Sequence, residues 1–401
     1  MIKLNDNTEC CGCEACSQAC PKNCIEMVPD AEGYLYPKID EDTCINCHIC
    51  ENVCPYLNNT FEGNEQWKPI KAYAAYNRDS SIVKKSSSGG IFYEFAKATI
   101  ERGGIVFGAV INAQHEVHHT YAETLDGVME MLGSKYVQSH IGKAFSDVKS
   151  FLHQDKPVLF SGTPCQIAGL RQYLRKDYKN LLTVDFVCHG VPSPGIWKKY
   201  IYEIASVLNK DGGTGKLKIN FREKNGFSWS NFGFSVKHEN GKHFETGAVN
   251  SPYMRAFITD NCLRPSCYKC EYKNNSGSDI TLGDFWGIDK VVSEMYNEEG
   301  VSLLVVNTQK GAETLYSLNI DSKEVSYQQA CIYNRAINHP SPKPITRDKF
   351  FRLATNPHYS ITDAVKRIAP IYNQLSPWEY LAYLPITILR LFFSGSEEPS
   401  V

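Results

Sequence analysis

The sequence predicts a multidomain chain of α+β and α/β class, with a small cysteine-built head ahead of a larger mixed α/β core. Three observations predict it. Two cysteine runs of identical spacing occupy the head, Cys10-x2-Cys13-x2-Cys16-x3-Cys20-Pro21 and Cys44-x2-Cys47-x2-Cys50-x3-Cys54-Pro55. Beyond residue 70, short apolar runs alternate with helical periodicity, as strand–helix units of a largely parallel sheet do. A chain of 401 residues, 42 % hydrophobic and 12 % aromatic, is also long for one domain and can fill substantial cores.

The head, residues 1–60, is read from its spacing. Each run matches a bacterial-type ferredoxin domain with two clusters, in which the fourth cysteine of one run ligates the other cluster. On that rule one [4Fe-4S] cluster takes Cys10, Cys13, Cys16 and Cys54, and the other takes Cys44, Cys47, Cys50 and Cys20. Short spacings let three soft thiolates converge from one loop onto iron. Structural zinc and disulfides compete, but two CxxCxxC runs closed by Cys-Pro suit neither. Ile25–Val28 and Tyr34–Ile39 read as short strands, with turns at Pro29 and Gly33. Few apolar side chains are available, so holding clusters and folding should be inseparable. Cys11 is read as a bystander, and Cys24 as packing beside a cluster.

Composition sets further bounds. A net charge of −2 gives no electrostatic case for nucleic acid. The sixteen cysteines follow no charged and then apolar leader, so they are read as metal ligands in a reduced, cytoplasmic setting. No run of eighteen apolar residues predicts a spanning helix. The helical tail, 346–401, turns strongly apolar over 376–394, with Pro385 interrupting it. Internal packing is the first reading of that stretch, and contact with a membrane surface or a partner the second.

A polar connection over 58–69 leads to the first α/β region, 61–210. Lys71–Tyr76 reads as a strand, and Ser86-Ser87-Ser88-Gly89-Gly90 opens a helix. Such a turn offers free backbone N–H groups and hydroxyls, a seat for phosphate, although an ordinary capped turn has the same residues. Neither the dinucleotide fingerprint nor the P-loop is present. Lys135 suits a phosphate or an electron-rich ring edge, against the default of a surface lysine. His115, His118 and His119 read as a strand edge rather than a metal site. The run Pro157–Phe160 enters Gly162-Thr163-Pro164-Cys165, strand then loop then helix, with Pro164 in the first turn. Leu181–Val187 ends in Cys188-His189-Gly190. Two successive units thus deliver a cysteine to the carboxyl ends of their strands, where open parallel sheets assemble sites.

Residues 211–345 read as strand-rich, with a hairpin turn at Asn240-Gly241. Arg222 and Lys224 are candidate contacts to an acidic carrier. Cys267 and Cys270 form a CxxC pair, too few ligands for a cluster alone; Cys165 and Cys188 complete a third [4Fe-4S] set. Cys262 competes for one of those positions, and a redox-active dithiol at Cys267 and Cys270 is the other reading. Asp279–Gly287 is a strand delivered to a loop, where Asp284 would bind or position a cofactor.

Over residues 1–340 the chain resembles the coenzyme F420 hydrogenase/dehydrogenase beta-subunit family fused to a two-cluster ferredoxin domain. Ser87-Ser88-Gly89-Gly90, Ser134-Lys135-Tyr136, Gly162-Thr163-Pro164-Cys165-Gln166, Cys267-x2-Cys270 and Asp279-Ile280-Thr281-Leu282-Gly283-Asp284 carry the resemblance. It implies a flavin, FAD with FMN as the alternative, beside a cluster in the core, with electrons passing to the head. Ser87, Ser88, Gly89, Gly90, Lys135, Gly162, Thr163 and Asp284 would then be flavin contacts, and Lys135 the catalytic candidate. The implied function is an iron–sulfur flavoprotein oxidoreductase linking an organic two-electron partner to ferredoxin-type clusters. A non-catalytic electron-carrier subunit of a larger redox complex is the alternative. Expected partners are a ferredoxin-type redox protein, an F420-like carrier or another small metabolite, and a second copy of the chain. The resemblance leaves the substrate open.

Overall fold

A small ferredoxin-like domain precedes a larger mixed α/β domain in the computed structural model, which describes residues 2–58, 69–209 and 215–372. In the head, β1 (Ile25–Pro29) and β2 (Leu35–Ile39) pair antiparallel, and the cysteine loops flank them. The core follows with β3 (Lys71–Asn77), β4 (Ile105–Ile111), β5 (Val117–Ala122), β6 (Val158–Gly162), β7 (Leu181–Phe186), β8 (Leu217–Glu223), β9 (Gly233–His238), β10 (His243–Gly247), β11 (Ile280–Asp284), β12 (Ser302–Val306) and β13 (Ile320–Val325).

Eight of these form one sheet in the order β13-β3-β12-β11-β7-β6-β4-β5. Its middle, β11-β7-β6-β4, is parallel, and the flanking pairs are antiparallel. Central strands covered on both faces need continuous apolar sequence, and Ser302–Val306 is buried throughout. Strands from 61–210 and from 211–345 therefore share this sheet, while β8, β9 and β10 make a separate antiparallel one. Strand β13 was not legible in the sequence. Ile-Asp-Ser-Lys-Glu-Val is a charged edge strand, whose polarity keeps the sheet from pairing further.

Helix Pro164–Leu174 starts on a capping box between Thr163 and Gln166, with Pro164 in its first turn. Helix Ile91–Ile100 starts at Gly90, whose φ of +78° suits glycine. Helices Arg347–Ala354 and Ile361–Tyr372 pack into the same apolar cluster as Trp197, Tyr253 and Phe234. Residues 59–68 of the connection and the apolar stretch 376–394 lie outside the described residues. Among the described residues no helix is long and apolar enough to cross a membrane.

The head is fastened to the core. Tyr34 is buried in the core cluster and its hydroxyl donates to the carbonyls of Cys262, at 2.6 Å, and Val191, at 3.2 Å. Arg347 grips Glu32 through both terminal nitrogens, at 2.8 and 2.5 Å. Gly33 and Gly195 touch backbone to backbone; a Cβ on Gly33 would lie 2.5 Å from the Gly195 Cα. Buried Glu14 accepts from His140 Nδ1 at 2.7 Å and from the Ile141 N–H at 2.8 Å.

The hydrogen bond from Glu14 raises the His140 pKa above the ordinary 6.5. Since the folded value is the higher one, this stabilisation is fully present below pH 6.5 and is lost as pH rises through the folded value. His140 is half-exposed, so solvent screening limits the effect to less than about 1 kcal/mol. The expected result is a small loss of thermal stability above neutral pH that His140→Gln abolishes; identical pH profiles for the two proteins would contradict it.

Candidate redox site

The loops after β6, β7 and β11 meet at the carboxyl ends of the parallel strands and bring Thr163, Cys165, Cys188, His189 and Asp284 to one edge of the sheet. Two hollows lie there. A cavity of about 170 Å³ is lined by Cys165, Cys188, Cys267 and Cys270, the four cysteines proposed for the core cluster, and by Cys11 of the head. Cys262 does not line it; that side chain is fully buried in the apolar cluster with Trp197 and Leu263. Burial pushes the thiol pKa of Cys188 up to about 12 and that of Cys270 to about 11. Burial disfavours the bare thiolate, so a set of such thiols around a void suits a centre that brings its own positive charge. The backbone N–H of Val191 donates to Cys267 Sγ at 3.4 Å, the kind of bond that tunes a cluster.

Sequence reasoning missed Cys11. Its thiol interacts with those of Cys13 and Cys165, so it stands between the head and the core cavity. Adjacency to Cys10 made it look surplus, and only the docking of the head shows where it points.

In the head, Cys16 has Cys10, Cys54 and Cys50 as electrostatic neighbours, and Cys13 has Cys11, Cys54 and Cys16, so the two expected ligand sets lie side by side. Cys20, Cys44, Cys47 and Cys50 line a second small hollow together with Cys24, whose Sγ lies 3.3 Å from that of Cys20. Among the described residues no three His, Cys, Asp or Glu side chains converge on a point suited to a single metal ion. A cluster several atoms wide asks for a different arrangement, thiols spaced around a void.

The second hollow at the sheet edge is a cleft of about 1010 Å³, as large as small-molecule sites become. Ser86, Ser87, Ser88 and Gly90 form one corner of it, at the N-terminus of helix Ile91–Ile100. The Ser86 hydroxyl is buried there with no hydrogen-bond partner among the described residues. Unclaimed N–H groups of the first helical turn and an orphaned hydroxyl fit a phosphate. Gly89 takes no part: its N–H donates to Ser302 Oγ at 2.9 Å, and a Cβ on it would meet the Ala75 carbonyl. Its role is close packing on the sheet.

The opposite wall is aromatic. Trp229 and Trp286 stack with centroids 5.3 Å apart, and Arg222 lies 3.9 Å above the Phe232 ring. Arg222 is buried and paired to Asp284 at 3.2 Å, and it also donates to the carbonyls of Ser87, at 3.1 Å, and Trp229, at 3.3 Å. Asp284 further accepts from Trp229 Nε1 at 2.9 Å. Arg222 therefore locks the phosphate corner to the aromatic wall and is not offered to an outside carrier. Lys224 is likewise used internally, on the carbonyls of Val83 and Glu299.

Lys135, Gly162 and Thr163 also line the cleft. The Lys135 ammonium, however, donates to the carbonyls of Glu130, Met131 and Leu132 at 3.0, 2.9 and 2.9 Å, capping the end of helix Leu125–Met131. Burial pulls its pKa down to about 7, while three carbonyl oxygens at a helix C-terminus oppose loss of the proton. All three donors are spent, so in this structure Lys135 supports the wall. His119 is neutral and fixed: Nε2–H donates to the Ser161 carbonyl at 2.9 Å and Nδ1 accepts from Ser139 Oγ at 2.9 Å. Burial lowers its pKa to about 4. His189 Nε2 lies 2.7 Å from Asp260 Oδ1.

Residues 9–58 match the family described as 4Fe-4S dicluster domain, and residues 155–329 match the C terminus of the Coenzyme F420 hydrogenase/dehydrogenase beta subunit. An uncharacterised polyferredoxin-like protein of Methanocaldococcus jannaschii is 37 % identical over 57 residues, 12 % of this chain and 34 % of that protein. Ferredoxin 7Fe of Hydrogenibacillus schlegelii is 39 % identical over 67 residues, 16 % of this chain and 76 % of the ferredoxin. Pyruvate synthase subunit PorD of M. jannaschii is 44 % identical over 50 residues, 12 % of this chain and 54 % of PorD. The chain thus spans about a third of the first of these curated relatives, 34 %. Among solved structures, a chain of the F420-reducing [NiFe] hydrogenase complex from Methanosarcina barkeri aligns at 19 % identity with a TM-score of 0.42, covering 76 % of this chain and 93 % of that one.

Proposed function

From a chain in which a 4Fe-4S dicluster domain precedes a domain of the coenzyme F420 hydrogenase/dehydrogenase beta-subunit type, we propose an iron–sulfur flavoprotein oxidoreductase. It moves electrons between an organic two-electron partner, F420-like or another small metabolite, and a ferredoxin-type redox protein. One observation carries this reading: Cys188, His189, Gly190 and Val191 line both the large cleft and the cysteine cavity. A single stretch of backbone separates the place for an organic ring from the place for iron.

A flavin in the cleft would supply the exchange between two-electron and one-electron chemistry, which no side chain here performs. The protein's part is holding and aligning. The corner of Ser86, Ser87, Ser88 and Gly90 with the first turn of helix Ile91–Ile100 would take phosphate. Trp229 and Trp286 offer a flat apolar face, kept in place by Arg222 and Asp284. Cys165, Cys188, Cys267 and Cys270 would hold a third cluster, with Cys11 on the side toward the head. Close alignment of the partner ring with little covalent help from protein is what hydride exchange needs. The non-catalytic carrier reading leaves a cleft of about 1010 Å³ unexplained.

Anaerobic purification with metal and cofactor analysis is the test. Three [4Fe-4S] clusters predict about twelve irons, with one flavin, whereas a carrier built on the head alone predicts about eight and none. Bleaching of the bound flavin by F420, nicotinamides or reduced ferredoxin would then name the partner class.

A further inference from the structure

Arg264 lies between Cys262 and Cys267 in sequence but turns toward the head. It is fully buried, 0 % exposed. Its Nε donates to the Cys10 carbonyl at 2.7 Å and Nη1 to Gln138 Oε1 at 2.9 Å. Nη2 donates to the Leu35 carbonyl at 2.9 Å and reaches Cys10 Sγ at 3.5 Å. The guanidinium also sits 4.3 Å from the Tyr36 ring centroid and 5.3 Å from that of Tyr34. The seat is tight, since a Cβ on Gly12 would lie 2.7 Å from Nη1.

None of these hydrogen-bond partners is a carboxylate: they are two carbonyls, one amide and the Cys10 sulfur. Among the described residues the other deeply buried arginines face carboxylates, Arg222 on Asp284 and Arg347 on Glu32. A guanidinium taken wholly out of water needs an anion, or its desolvation goes uncompensated. The nearest group able to become strongly negative is the thiolate set that begins at Cys10.

We propose that Arg264 is the built-in counter-charge of the cluster held by Cys10, Cys13, Cys16 and Cys54, and that it raises that cluster's reduction potential above its neighbour's. The proposal rests on the ligand grouping given above. Reduction adds one electron and makes the centre more negative, so a buried cation at a ligand sulfur favours the reduced form. The hollow of Cys20, Cys44, Cys47 and Cys50 has only Lys22 of the lysines and arginines on its lining, and Lys22 is exposed, where water and salt screen it. Arg264 comes from the core, so the field acts only while the head is docked. The head centre nearer Cys11 and the core cavity is thereby the better electron acceptor of the pair.

The test is anaerobic, EPR-monitored redox titration of the full chain with iron analysis, comparing wild type, Arg264→Gln and Arg264→Lys. Arg264→Gln should lower the midpoint of one head cluster and leave the other in place. The reduction equilibrium should fall at least tenfold, about 59 mV for one electron, and Arg264→Lys should recover most of it. If Arg264→Gln instead sheds one cluster's iron, retention of that iron by Arg264→Lys supports the charge, and loss in both overturns it. Unchanged midpoints with full iron in Arg264→Gln would overturn the proposal while leaving the cluster assignment standing. Wild-type protein without iron would overturn both.

Discussion

Replacing Cys267 by serine is expected to remove about four irons, one [4Fe-4S] centre, and to leave both head clusters spectroscopically intact. Cys267 lines the core cavity, and its sulfur already has a backbone donor in Val191. Cys262 cannot take over, because its side chain is buried among Trp197 and Leu263 away from the void. Cys11 is the remaining thiol on the lining. Single and double variants therefore separate the ligand sets. Loss of iron in Cys267→Ser assigns the ligand directly. Full iron in Cys267→Ser, with loss in Cys11→Ser/Cys267→Ser, would transfer the role to Cys11. Full iron in both would reject Cys267 and Cys11 as ligands of a core cluster.

The second large effect concerns the cleft. Arg222→Met leaves Asp284 without its cation in a largely buried place and cuts the ties to Ser87 and Trp229. Breaking one side of such a pair costs about 3–5 kcal/mol, whereas replacing both with apolar groups of similar volume is often close to neutral. Arg222→Met should therefore lower thermal stability steeply and lose the proposed flavin. Arg222→Met/Asp284→Leu should regain much of the stability without regaining the flavin, because the corner of Ser86, Ser87 and Ser88 stays untied from the aromatic wall. Stable, flavin-replete Arg222→Met protein would show that the pair is dispensable to the cleft.

These two sites were unequally legible in the sequence. The head's cysteines announce themselves because their convergence is local, set by two and three intervening residues. The core cysteines were legible for another reason: Cys165 and Cys188 each follow an apolar run, and a parallel sheet gathers such ends. What stayed hidden depended on docking or orientation. Cys11 and Arg264 acquire their neighbours only when the head meets the core. Lys135 and Gly89 occupy the right stretches, yet Lys135 spends its donors on a helix end and Gly89 turns to Ser302. Arg222 looked like an outward-facing charge because a strand's sequence does not reveal which aspartate will lie across from it.

Tyr34 in the core cluster, Arg347 on Glu32 and the touching backbones of Gly33 and Gly195 have a mechanical consequence. The head is a fixed terminal, not an arm that swings out to hand over its charge. The loop where Cys47 and Ile45 stand exposed therefore keeps a fixed place relative to the core.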